Sequence, residues 1–513
     1  MSRKTVRKMT PKTACGEFFF ASEAGFPLAS VVDMRSTLYG ARALVGSMTH
    51  TATCLRFRPR VKKLSFVPPV GGALAALRGR RGLALLDSAA GDPRSFSVLG
   101  FDPLELKNSA LESLQPIDAI EALLSSLRLE EGDAVPGPFQ GGFLGAISYD
   151  AGVYGEELGL PADPWGQPSF LGGLYTDFLV WSHVEDAAWL VLGDEPGDAR
   201  ATIEEREAEI LSSLGGVSGR QSFSALGPLQ RHTEAAEHCA RVEAARALIA
   251  EGEIYQANLA HRFTRLMDGS PLDQYLALRE VNPAPYMGYL GAGSGERPEW
   301  ALLSASPELL LEFDGARATS RPIKGTAARG ASGVEDEERA RALIESAKDR
   351  AELAMIVDLV RNDLGKVARA GGVTVDEFPE LRSYEGIHHL MADVKAEVRE
   401  GVDSFELLRA LFPGGSITGA PKLRVMEAIA DLEGAGRGFF TGSMGFAGLD
   451  GRSAWNILIR TLVWRPLGGA SSDRGEVSFH VGGGITWGSD PVDEESETLL
   501  KGARLMKALE GKE

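Results

Sequence analysis

Short apolar runs and helix-period stretches follow one another along this chain without a regular βαβ rhythm. That irregular interspersion most constrains the fold, because a doubly wound parallel sheet needs the rhythm and an α+β arrangement does not. Strand-like runs lie at 83–86, 95–99, 140–149, 178–181, 188–192, 301–304 and 477–481. The pair 178–181 and 188–192 reads as a hairpin across His183–Asp186. Helical periods occupy 71–77, 117–127, 198–214, a single long stretch at 335–366, 407–412 and the segment from Pro421 to Ala430. Thr233 is placed to cap a helix running to Glu251, with Gly252 as its stop, and a last helix starts near Asp493.

At 513 residues, a single core is not expected. The composition divides the chain into a basic extension at 1–66, disordered or spurious, an N-terminal region at 67–220 and a second region at 231–513, with the boundary in 215–231. The extension holds 12 Lys/Arg against 3 Asp/Glu, a net of +9 that leaves −26 on the rest. It fits either an organelle transit peptide or a start site placed too far upstream, with Met48 as the alternative beginning. The overall charge of −17 argues against nucleic acid as a partner. No apolar run is long enough for a membrane span. Cys15, Cys54 and Cys239 have no metal or disulfide spacing, which fits a reducing cytoplasm.

Several constellations carry chemistry. In Ser320-Arg321-Pro322-Ile323-Lys324-Gly325-Thr326, the proline biases Arg321 to an extended form and Gly325 admits close backbone approach, which places Lys324 at a strand end. Asp314-Gly315 before it is a hairpin signal. A solvated turn lysine is the other reading. Asp349 with Glu352, and Glu494 with Glu497, are spaced by three and share helix faces. Their repulsion calls for a cation, and all-oxygen donors favour Mg²⁺. Arg460, ending a strand, and the turn at Gly482-Gly483-Gly484 offer a guanidinium and bare amides to a carboxylate. Glu308, after Ser306-Pro307, and His389, before an apolar pair, are candidates for acid–base work.

The Pro322–Thr326 motif, the stretch Phe412-Pro-Gly-Gly-Ser-Ile-Thr-Gly-Ala-Pro-Lys422 and Asp358-Leu-Val-Arg-Asn-Asp363 resemble the chorismate-binding enzymes, and within them the component I branch of aminodeoxychorismate synthase. The resemblance covers 235–510 strongly and 70–195 weakly. It implies two large packed β-sheets with helices outside. It also implies that Glu352 and Glu497 hold Mg²⁺ directly, with Asp349 and Glu494 behind them. Chorismate would meet Gly325, Thr326, Arg460, Gly482 and Gly484. Glu308 would assist departure of the C4 hydroxyl with His389 nearby, and Lys324 would attack C2. The family's tyrosine that contacts a substrate carboxylate is Phe440 here. Asp87-Ser88 followed by Arg94-Ser95-Phe96 resembles the part of the family that holds tryptophan, though two core strands joined by a turn are the preferred reading. Cys239 sits within an apparent helix and no cysteine lies on a sharp glycine-flanked turn. A separate glutamine amidotransferase must then supply ammonia. Anthranilate synthase component I, where position 324 is a small residue, and a non-catalytic chorismate or tryptophan sensor are the alternative functions.

Overall fold

The computed structural model describes residues 55–90, 95–108, 114–194, 201–216, 219–294, 297–376, 378–384, 386–468 and 474–510. Two large, mainly antiparallel sheets dominate it. The first runs, strand by strand, through 224–225, 256–268, 474–485, 461–466, 297–306, 286–294, 84–87, 96–100, 178–182, 187–194, 55–63 and 127–129. The second runs through 368–375, 394–398, 317–321, 309–313, 453–456, 443–448, 142–147, 170–175 and 105–108. A small third sheet joins 323–328, 387–391 and 380–384.

The inner faces of the two large sheets share one core. Phe57 and Phe178 of the first sheet meet Phe143, Phe446 and Trp455 of the second. Phe139 stands edge-on to both Phe178 and Phe446, at 4.9 and 5.6 Å between ring centres. The close approach has sequence causes: a side chain at Gly100 would strike Tyr175 and Leu144 within 2.6 Å. Helices cover the outer face of the first sheet through Leu74, Ile210, Leu278 and Leu505. The expected α+β class, with two packed sheets and helices outside, is what the chain forms. The 67–220 and 231–513 regions both supply strands to both sheets; Ser443 pairs with Ile147, and Met287 with Asp87.

Four local expectations are corrected. Leu55–Lys63, inside the stretch assigned to the basic extension, is a strand pairing with 187–194 and 127–129. Its alternating burial, with Phe57 fully enclosed, is the period-2 pattern that the surrounding basic residues obscured. Residues 1–54, including Met48, Cys15 and Cys54, lie outside the described residues, as does Arg94. The 335–366 helix is two, Gly333–Glu345 and Ala347–Gly365, because Ser346 leaves the helical region (ψ 107°) and its hydroxyl caps the second. The helix expected to start at Thr233 is Ala235–Ala250, with Glu234 at its N-cap and Thr233 buried. Gly482–Gly484 form no turn. They lie inside the strand Arg474–Ile485, opposite Ala260 to Asn258.

Candidate active site

The site is assembled where the small sheet meets two helix N-termini and the end of the 474–485 strand. Lys324 is the second residue of the strand Ile323–Ala328, whose pairing with Ile387–Met391 slips between Ile323 and Thr326. Gly325 absorbs the slip at φ +83°, a conformation that favours glycine. A side chain there would lie 3.0 Å from Cβ and 3.1 Å from the carboxyl of Asp349. Gly484 does the same for Lys324: an added methyl would sit 3.0 Å from Lys324 Nζ and 2.6 Å from Gln256 Nε2. At Gly483 the neighbours are Glu494 Oε2 at 3.1 Å and Lys501 Nζ at 3.5 Å. Each glycine is therefore the space into which a charged side chain reaches.

The four carboxylates converge from two helices. Asp349 is in the first turn of Ala347–Gly365, where Ser346 hydrogen-bonds it, and Glu352 follows one turn on. Glu494 is in the first turn of Pro491–Ala508, accepting from Ser489 Oγ at 2.6 Å. Glu497 pairs with Lys501 at 2.8 Å. Burial pushes the Glu352 carboxyl up, with Asp349 and Glu494 adding repulsion against the pull of Lys324 and Lys348. Glu352 has no hydrogen bond or ion pair among the described residues. Burial works the same way on Glu497, but Lys501, Lys348 and Lys324 hold it below the usual range. An unpaired, destabilised carboxylate among three others is a donor set that fits a hard divalent cation.

Lys324 faces this group. Burial lowers its pKa; Glu352, Glu308 and Glu497 oppose that, while Lys501 reinforces it. Glu308, 3% exposed, lies just ahead of the strand Leu309–Phe313 and is pushed up to about 7. Burial is the main cause, moderated by Ser416, Lys324, the Ile323 amide and Arg460. His389 is buried on the neighbouring strand, its Nδ1 3.1 Å from Thr326 Oγ1. Burial and then the charge of Arg460 take it down to about 3, so it is neutral at physiological pH.

Arg460 corrects its expected placement. It precedes the strand Thr461–Pro466 rather than ending one, in a left-handed conformation (φ +52°). Burial, followed by repulsion from Arg504, lowers its pKa to about 10. Its guanidinium has no hydrogen bond or ion pair among the described residues. Gly482 lends its carbonyl to Lys501 at 3.3 Å. Phe440, which stands where the resembling family has a tyrosine, stacks on His480 at 4.8 Å under the Arg437 guanidinium.

Three further residues belong to this constellation and were not singled out from sequence. Gln256 is fully buried beside Gly484 with neither amide atom hydrogen-bonded. The Ser416 hydroxyl, buried and unpartnered by geometry, faces Glu308. Lys501 bridges Glu497 and the Gly482 carbonyl. Only Lys501 had a spacing signal, four residues after Glu497. Away from the site, Asp87 is buried and held by Arg279, Tyr275 and Ser97, and its strand Ala84–Asp87 pairs with Phe96–Gly100.

Residues 88–507 match the family model described as chorismate binding enzyme. The aminodeoxychorismate synthase component 1 of Bacillus subtilis is 34% identical over 457 residues, 84% of this chain and 93% of that one. An anthranilate synthase component 1 of Streptomyces coelicolor is also 34% identical, over 446 residues and 83% of each chain. The crystal structure of anthranilate synthase component I from Streptococcus pneumoniae superposes with a TM-score of 0.68 at 27% identity, covering 80% of this chain and 92% of that one. With the whole site inside the matched span, the chain belongs to the chorismate binding enzyme family.

Proposed function

We propose that this chain is an aminodeoxychorismate synthase component I, which replaces the C4 hydroxyl of chorismate by an amino group, with ammonia from a glutamine amidotransferase. The observation that carries the reading is Lys324. Its amine is set against Gly484 and Gln256, within the field of Glu308, and burial favours its neutral, nucleophilic form. A free lysine would be neutral only about one time in a thousand at pH 7.4. The relatives named above include synthases of both the 4-amino and the 2-amino product, so overall likeness does not choose between them; the lysine at position 324 favours the 4-amino product.

In this reading Lys324 attacks C2 while Glu308, protonated because of its burial, donates its proton to the departing C4 hydroxyl, which leaves as water. Ammonia then adds at C4 and expels the lysine amine. Neutral His389, bound to Thr326, orders the leaving-group side, and Arg460 has an unengaged guanidinium for a substrate carboxylate. Glu352 and Glu497 would hold Mg²⁺, with Asp349 and Glu494 behind them. When bound, the ion neutralises a second substrate carboxylate. Cys239 lies within Ala235–Ala250 and donates to the Pro491 carbonyl, with no nucleophile's elbow about it. That supports an external ammonia source, and the cysteine spacing supports action in a reducing cytoplasm.

The test is to incubate the pure chain with chorismate, Mg²⁺ and ammonium salt and to identify the product. A product with the mass of aminated chorismate that a lyase converts to 4-aminobenzoate is expected. Anthranilate in its place would favour the anthranilate synthase reading.

A further inference from the structure

On another face of the Pro491–Ala508 helix lies a second cluster that the chemistry above does not use. His238, from Ala235–Ala250, and His261, from the strand Gln256–Asp268, are 1% and 2% exposed. Their rings stack with centres 4.8 Å apart. Both His261 ring nitrogens and His238 Nε2 have no hydrogen-bond partner, and His238 Nδ1 meets only Glu495. Glu495 completes the group, with one ligating atom from each residue within 4.8 Å of the others. His238 Nδ1 is 2.9 Å from Glu495 Oε2.

Orphaned imidazole nitrogens in a dry interior are costly, at about 1–3 kcal/mol for each unsatisfied group. A neutral imidazole presents one lone pair, and burial lowers the pKa of both rings against the opposing pull of Glu495. Glu495 adds an oxygen whose direction is fixed from behind by Arg231, at 2.8 and 2.9 Å. That fork takes one lone pair from each carboxylate oxygen and leaves others free, the support that metal-ligating carboxylates ordinarily receive. Thr498, one turn after Glu495, contributes a further buried hydroxyl without a partner.

We propose that His238, His261 and Glu495 form a binding site for a borderline divalent transition metal ion, of the Zn²⁺ type, separate from the carboxylate site. Two imidazoles and one carboxylate are a donor set that such ions prefer and Mg²⁺ does not. The three ligands come from three elements, so the ion clips the Pro491–Ala508 helix to the Ala235–Ala250 helix and the 256–268 strand. Glu494 and Glu497 flank Glu495 on that helix, and the clip fixes the helix's rotation and hence the spacing of those carboxylates.

Cobalt(II) is the probe, added to the full-length protein in a large excess of Mg²⁺. We expect one equivalent of tightly held cobalt, with the intense visible bands of low-coordinate Co²⁺ bound to imidazole, undiminished as Mg²⁺ is raised further. The double variant His238→Gln, His261→Gln should lose the bands and bind cobalt at least ~10–100-fold more weakly, since even outer partners of a metal site are worth that much. Cobalt displaced by Mg²⁺ would place it on the carboxylates and overturn the proposal, as would no retained cobalt. Unchanged bands in a cooperatively melting double variant would overturn it too. The magnesium competition uses the unaltered chain, so the test decides even where the double variant fails to fold.

Discussion

At the scale of single residues, Lys324 and Glu308 carry the sharpest expectations. If Lys324 is the nucleophile, chorismate without ammonia should leave an adduct weighing chorismate less water, and peptide mapping should locate it there. Lys324→Ala should abolish the adduct and let a 2-amino product appear, because ammonia can enter the vacated space. Lys324→Arg should be worse than alanine, since guanidinium stays charged and fills the space. Retained turnover in the arginine variant with no adduct in the native chain would show that position 324 supplies charge only. Glu308, pushed up to about 7, gives the pH dependence its sign. It is an acid below that value, so turnover should fall as pH rises through about 7. Glu308→Gln should remove that limb in a pH–rate profile and cost on the order of 10²–10⁴ in kcat. Gly484→Ala puts a methyl 3.0 Å from Lys324 Nζ and 2.6 Å from Gln256. Activity should drop far more than stability, which overpacking lowers by ~1–3 kcal/mol.

At the scale of elements, the two helix N-termini matter most. Glu352 and Glu497 reach the site only because Ala347–Gly365 and Pro491–Ala508 both begin beside it. Glu352→Ala or Glu497→Ala should abolish Mg²⁺-dependent turnover while leaving a cooperative melt; undiminished turnover in EDTA would contradict this. Ser346 ends one helix and caps the next, so Ser346→Ala should lose ~1 kcal/mol of stability. It should also raise the Mg²⁺ concentration needed for half-maximal activity, because the same hydroxyl holds Asp349. The break at Ser346 was not legible as a boundary. Helical periodicity continues through it, and a serine inside a period reads as a solvated position until its hydroxyl is seen on the Asp349 amide.

At the scale of the whole molecule, the interleaving of early and late strands decides what can be removed. Leu55–Lys63 covers one edge of the first sheet by pairing with 187–194. Deleting residues 1–47 should leave folding and turnover intact. Deleting 1–63 should expose the 187–194 edge and cause aggregation, visible by light scattering. The pure chain should use ammonium but not glutamine, and glutamine should become a substrate only when an amidotransferase subunit is added.

The sequence alone determined the α+β class and the hairpins at Asp314-Gly315 and across 183–186, and it singled out most of the residues that the structure brings together at the candidate site. These were legible because they rest on local patterns: alternation, i,i+3 spacing, and glycine or proline beside a reactive side chain. It misplaced the environment of Arg460 and of Gly482–Gly484, reading a strand end and a turn. Whether a glycine run is a turn or an open stretch of strand depends on whether a partner strand lies beside it, and the partner, 256–268, is more than 200 residues earlier. Sequence separation likewise hid the roles of Gln256 and Ser416, whose meaning comes only from the burial of Lys324 and Glu308 against them. Only the tertiary structure could decide those positions, because desolvation and the approach of remote charges, unlike periodicity, are not properties of neighbours in the chain.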